Sequence, residues 1–175
     1  MEELIDVLDQ NGIKTGKVLT RSEIHKQGLW HRIIVVAIID NQGQLLMQQR
    51  SDNKDTNPGK WDISTAGHVS AGQTSEEAAI REIFEEVGME IAEEQLKYIC
   101  TYKNISNVKD DYIDKQIYDF YIVSIDQINL KDIKMQESEV QQIKLCNKEE
   151  VQDMLDDKIV VRRPEAYKEL IKYLK

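Results

Sequence analysis

Between Thr74 and Gly88 the sequence TSEEAAIREIFEEVG departs from the pattern of everything before it. Upstream, apolar and polar residues alternate in short runs; here the apolar period lengthens to that of a helix. Thr74 and Glu77 have the spacing of a capping box, which starts the helix at Ser75, and Gly88 is a C-terminal stop. Ala78, Ala79, Ile83 and Val87 then fall on one stripe that must be covered. A capped amphipathic helix set between groups of strands constrains the chain to a layered α/β arrangement, in which a sheet supplies the cover.

Strand signals bracket this helix. Leu4–Leu8 alternates and is followed by Asn11-Gly12, a hairpin turn, after which the chain resumes with KVLTR, 17–21. RSEIHKQG, 21–28, predicts a short helical turn closed by Gly28. HRIIVVAIID and QLLMQQR flank Asn41-Gln42-Gly43 as a second hairpin rich in β-branched residues. NKDTNPGK is a loop with Pro58-Gly59 as its turn, and WDIST, 61–65, is one short strand leading into Gly67. Downstream, LKYICTY (96–102), QIYDFYIVSI (116–125) and VQQIKLC (140–146) read as strands. Two helices follow, one opened by the Asn147-x-x-Glu150 box and one starting at Pro164. With no linker, repeat or low-complexity tract, residues 1–175 are expected to form one domain, a mixed sheet packed between helices.

Composition narrows the function. A net charge of −9 disfavours bulk binding to nucleic acid or anionic lipid. An anionic small-molecule substrate therefore needs a local positive centre, a metal ion or a few placed arginines. No run approaches the ~20 apolar residues that span a bilayer, and MEELIDVLDQNG lacks the pattern of a secretory signal. Cys100 and Cys146 lie far apart in alternating segments, without metal-ligand spacing, and read as buried reduced thiols of a cytoplasmic protein. Homo-oligomerisation stays open.

The helix itself carries Arg81, Glu82, Glu85 and Glu86, and the three carboxylates crowd one face at i, i+3 and i+4. Spacing alone leaves two readings: a solvated acidic face, or a carboxylate site for a hard cation. Mg²⁺ takes one or two carboxylates and keeps positions open for water and phosphate oxygens. The loop from Gly67 to Gly72 leads to the helix N-terminus, where free backbone N–H groups favour anions.

Gly67, five residues, Gln73, seven residues and then Arg81-Glu82-Ile83-Phe84-Glu85-Glu86-Val87-Gly88-Met89 resembles the Nudix box, over 67–89. One fixed position departs: Gln73 stands where the family has its first glutamate, so one outer carboxylate is lost. GQLLMQQRS and PGKWDISTAGH resemble the strand and loop that precede the box, and the whole chain fits one Nudix domain. The resemblance implies a Nudix α/β/α sandwich with a mixed sheet and Mg²⁺- or Mn²⁺-dependent hydrolysis of a diphosphate linkage in a nucleoside-diphosphate-type or related small molecule. It assigns Glu85 and Glu86 to metal binding, Glu82 to metal binding or deprotonation of water, and Arg81 to orienting a glutamate. It also places the Ala66 carbonyl where a backbone oxygen often ligates metal. Arg50, ending LLMQQR, is a candidate phosphate contact or a structural ion pair, and Glu137 or Glu139 is a candidate late ligand. A nucleotide-binding module without turnover is the rival outside catalysis; the retained glutamates weigh against it.

EIHKQGLWHR followed by AGH further resembles the subgroup of isopentenyl-diphosphate isomerases. The resemblance implies that His25, His31 and His68 help to bind a metal, although His25 and His31 are six residues apart rather than seven; packing is the competing role. Isomerase activity is the rival reaction. That enzyme needs a cysteine where this chain has Ala66 and a glutamate where it has Gln116, with Asp114 beside it in a ligand position. A methyl and an amide cannot carry out paired proton transfers, so the subgroup likeness supports the fold and weighs against isomerisation. Trp30, Trp61, Tyr112, Tyr118 and Tyr121 alternate as core residues do and are expected to be core rather than base-stacking platforms.

Overall fold

The computed structural model describes residues 2–109 and 112–175. The first half comprises β1 (Leu4–Leu8), β2 (Lys14–Thr20), α1 (Arg21–Gln27), β3 (Trp30–Asp40), β4 (Leu45–Arg50), β5 (Trp61–Ile63), β6 (Thr65–His68) and α2 (Ser75–Val87). A 3₁₀ turn at Glu93–Gln95 leads to β7 (Leu96–Lys109), β8 (Tyr112–Ile125), β9 (Val140–Cys146), α3 (Lys148–Asp156) and α4 (Pro164–Leu170). No helix among the described residues is long and apolar enough to cross a membrane.

β3 is apolar on both faces, so it is stable only when both are covered. Ile33, Val35, Ala37 and Ile39 point into one core layer, closed by Val151 and Met154 of α3 and by Ala166, Tyr167 and Leu170 of α4. Ile34, Val36 and Ile38 point into the other, closed by Ala78, Ala79, Ile83 and Val87 of α2. The expected α/β/α sandwich follows from this two-residue alternation.

One edge of β3 pairs in parallel with β8, from Trp30 beside Lys115 to Asp40 beside Ile125. The other edge is shared by three antiparallel partners in turn: β1 at Trp30, β6 at Ile33–Val36 and β4 at Ile39. β4 then carries β5 and β9, so β6 and β4 diverge. Ser64 sits in the fork. Its hydroxyl accepts from the Ile38 N–H at 2.8 Å and donates to the Leu46 carbonyl at 2.6 Å, satisfying backbone groups that the splayed strands leave over.

Several elements differ from the sequence reading. WDIST is not one strand; it breaks at Ser64 into β5 and β6, which join different partners. β2 begins at Lys14 because Asp9 Oδ1 accepts from the Asn11 and Ile13 N–H groups at 2.8 and 2.9 Å, drawing the turn tight. β7 and β8 each run fourteen residues, since mutual pairing carries the hairpin through polar residues that resemble a loop. Cys146 is buried, but Cys100 is only half-buried on edge strand β7, and both thiols are free. Tyr118 and Tyr121 are core as expected, whereas Trp30 and Trp61 are half-buried. The capping boxes at Thr74 and Asn147 and the proline start of α4 are present as read.

α4 is fixed by one ion pair that spacing does not announce. Asp62, fully buried on β5, receives Arg163 Nε and Nη2, each at 2.9 Å. Arg163→Met is expected to cost about 3–5 kcal/mol, since it leaves a buried carboxylate unpaired, while the double change Asp62→Leu/Arg163→Met is expected to recover most of that loss. Urea unfolding of both variants checks it; a neutral single variant would show that Asp62 needs no partner.

Candidate active site

A cleft of about 780 Å³ collects the sequence-predicted residues. α2 contributes Arg81, Glu82, Glu85 and Glu86; β6 contributes Ala66, Gly67 and His68; β4 ends in it at Arg50. The helix lies so close to β6 that a Cβ on Gly67 would overlap the Glu82 carboxylate. A side chain at Gly67 would therefore displace the Glu82 carboxylate from its present position.

Arg81 organises the outer part of the cluster. Its Nη1 donates to Glu82 at 2.7 Å and to Glu85 at 3.0 Å, and its Nη2 donates to the His68 carbonyl at 3.0 Å. It thus orients two glutamates rather than one. Gln73 turns its carbonyl oxygen to the same guanidinium, at 3.3 Å from Nη2 and 3.4 Å from Nε. The position that departs from the family pattern meets the arginine.

Glu86 is held differently. It is 4% exposed and accepts hydrogen bonds from Gln48 Nε2, at 2.9 Å, and from Thr65 Oγ1. Burial pushes its carboxyl up to about 8, and repulsion from Glu82 adds to the rise against the pull of the two hydrogen bonds. Burial also raises Glu82, outweighing the attraction of Arg81. Carboxyls driven toward the neutral form by desolvation and mutual repulsion fit a divalent cation, whose charge reverses both effects. The donors are all oxygens, the set that hard Mg²⁺ or Mn²⁺ takes.

Arg50 lines the cleft and donates to the Thr56 carbonyl at 3.1 Å; among the described residues no carboxylate lies within ion-pair distance of it. No structural ion pair of Arg50 is present among the described residues. Glu139 lines the cleft and pairs with Lys54, while Glu137 is exposed outside it.

The three histidines converge. Their ligand atoms lie within 4.8 Å of one another. His25 Nδ1 is 2.7 Å from the Arg21 carbonyl and His31 Nδ1 is 3.1 Å from the Leu29 carbonyl. A carbonyl only accepts, so each Nδ1 carries a proton, and in the neutral imidazole Nε2 presents a lone pair. Asp114 Oδ1 faces those lone pairs at 3.1 and 3.6 Å. All three Nε2 atoms and this oxygen are buried without a hydrogen-bond partner. Acceptors facing acceptors fit a cation between them, and a set of three imidazoles and one carboxylate suits a transition metal.

Sequence reasoning missed Gln48 and Thr65, which hold Glu86, and Glu3, whose carboxylate lies 3.7 Å from His68 Nδ1. The one available signal was Gln48, a polar residue in the buried run LLMQQ. Tyr112 stacks on His25 at 4.3 Å between ring centroids, a packing role rather than a free platform.

Three clustered carboxylates and an arginine at the edge of a forked sheet make an all-oxygen site of the kind that suits a hard divalent cation. Residues 29–170 match the NUDIX domain, and the chain belongs to the Nudix hydrolase family. It is 40% identical over 157 residues to Nudix hydrolase 3 of Arabidopsis thaliana, covering 88% of this chain and 20% of that protein. It therefore spans about a fifth of that relative's length. It is 30% identical over 122 residues to the isopentenyl-diphosphate Delta-isomerase of Serratia proteamaculans, covering 70% of this chain and 66% of that one. The crystal structure of DR0079 from Deinococcus radiodurans superposes with a TM-score of 0.71 at 20% identity, covering 97% and 98% of the two chains. The fold and the isomerase-like subgroup are as the sequence implied.

Burial pushes His31 down to about 4, against the pull of the Leu29 carbonyl and Asp114, and lowers His68 well below the ordinary range. At His31, between about pH 4 and 6.5, the unfolded state then binds more protons than the folded one. The His31 contribution to stability is full above about 6.5 and falls as the pH drops through that window, by roughly 3 kcal/mol, while Glu86, raised to about 8, acts in the opposite sense. Urea unfolding of chelator-treated wild type and His31→Gln from pH 7 to 4.5 should show a shallower decline for the variant. Parallel declines would mean that His31 is not the source.

Proposed function

We propose that the chain hydrolyses a diphosphate linkage in a nucleoside-diphosphate-type or related small molecule, with Mg²⁺ or Mn²⁺ held by Glu82, Glu85 and Glu86. The observation that carries this reading is the meeting of all three carboxylates in one cleft with Arg81 bridging two of them. A bound divalent ion supplies Lewis-acid neutralisation of the phosphate oxygens and activation of water. Glu82, made more basic by burial and steadied by Arg81, takes the proton of the attacking water. Arg50, free of any carboxylate among the described residues, binds a phosphate oxygen.

The orphaned Nε2 atoms and Asp114 Oδ1 support a second centre, in which His25, His31, His68 and Asp114 hold a transition metal. Isomerisation is not assigned. Ala66 and Gln116 both line the cleft, and neither side chain can exchange a proton with a substrate carbon. Two free thiols support a reducing, cytoplasmic location.

A panel of diphosphate compounds, isopentenyl diphosphate included, assayed for phosphate-bond cleavage with Mg²⁺ or Mn²⁺ tests the reading. On the best substrate Glu85→Gln and Glu86→Gln are each expected to lower turnover at least ~100-fold with the fold intact, because a lost ligand displaces the ion. Near-normal turnover in both would sink the assignment, as would an allylic isomer as the product. For the second centre, elemental analysis of wild type should find a transition metal that His68→Gln lacks. Equal metal content in the two proteins would end that idea.

A further inference from the structure

The carboxylate of Glu86 is fixed by two uncharged donors that converge on a single oxygen. Gln48 Nε2 reaches Oε2 at 2.9 Å from β4, and Thr65 Oγ1 reaches the same Oε2 from β6. Among the described residues no donor reaches Oε1, and Glu86 lines the cleft. The two strands that fork away from β3 thus grip one oxygen of the helix residue and leave the other without a donor among the described residues.

Gln48 bears a cost for this arrangement. It is 2% exposed, in a strand whose preceding residues are Leu45, Leu46 and Met47, and its own Oε1 is buried without a hydrogen-bond partner. Turning the amide over would set that oxygen against a carboxylate oxygen, two acceptors face to face. A purely structural side chain here would do better as methionine, since a buried carbonyl left unpaired is destabilising. The residue is explained by what its N–H₂ does for Glu86.

The choice of neutral donors also has a reason. Arg81 already holds Glu82 and Glu85. A second cation on Glu86 would compete with a metal for its charge, whereas an amide and a hydroxyl orient the carboxylate and leave its charge in place. We propose that Gln48 and Thr65 are positioning residues that present Glu86 to the catalytic cation through Oε1 alone. This rests on the reading of Glu86 as a cation ligand.

The test compares Thr65→Val, Thr65→Ser, Gln48→Met and Glu86→Gln with wild type. Cation binding without substrate is read from the midpoint of a Mg²⁺ titration followed by calorimetry. Mg²⁺ is used because it prefers oxygen and does not report on the histidines. Thr65→Val and Gln48→Met are each expected to raise that midpoint about 10-fold. With substrate, kcat falls while KM changes little, and Thr65→Ser returns both readouts close to wild type. In the absence of Mg²⁺, Gln48→Met unfolds at or above the wild-type temperature, because its orphaned carbonyl is gone. If Glu86→Gln loses the Mg²⁺ response while Thr65→Val and Gln48→Met keep the wild-type midpoint, Glu86 is a ligand and the positioning role is wrong. If Glu86→Gln itself keeps the wild-type midpoint, the ligand reading fails and the proposal goes with it.

Discussion

β3 must satisfy hydrogen bonds on two edges and bury apolar side chains on two faces, and most of the molecule follows from how it does so. One edge is filled by a single parallel partner, β8. The other is divided among β1, β6 and β4, and a sheet cannot stay continuous when one strand serves three partners at once. β6 and β4 separate, with the Ser64 hydroxyl bridging the backbone groups left between them. The separation opens the cleft. Residues toward the ends of the diverging strands, Arg50 on one side and Ala66 to His68 on the other, become its walls, and α2 lies across them. Packing the two core layers and creating the site are thus one structural event.

Charge is treated differently in the frame and in the cleft. In the frame each buried carboxylate meets a matched donor set. Asp62 takes Arg163, and Asp119 takes Arg32 at 2.8 and 3.0 Å together with Ser75 and Thr101. In the cleft Glu82 and Glu85 share one arginine and Glu86 has only neutral donors. The same bias recurs at the histidines, where Nε2 lone pairs face Asp114. Uncompensated acceptors are thus gathered at the cleft, an environment that favours a cation.

What the sequence made legible was whatever is local. The caps, stripe and glycine stop of α2 lie within fifteen residues, and Gln73 stands eight residues before Arg81, just ahead of the cap. The layered class followed from the change of period. Contacts between distant residues were not legible: Gln48 meets Glu86 across 38 positions and Asp62 meets Arg163 across 101. The break at Ser64 was hidden because both halves of WDIST alternate as one strand would; only the partners differ. His25 and His31 could be suspected from their pattern. Their convergence depends on how α1 turns back over β8, which no spacing encodes.

Placing Glu85 and Glu86 in the final turn of α2 has a thermodynamic consequence for the helix. The aligned peptide dipoles give that end a partial negative charge, and the turn contains no basic residue to offset it. Among the described residues three backbone donors serve its carbonyls, Gly88 N–H to Phe84, Gln136 N–H to Glu86 and Lys134 N–H to Val87. A divalent ion near these carboxylates therefore interacts with the helix dipole as well as with the side chains. Cation occupancy and fraying of the last turn are linked equilibria, so amide exchange in residues 84–88 is a gauge of the ion's presence even when no substrate is bound.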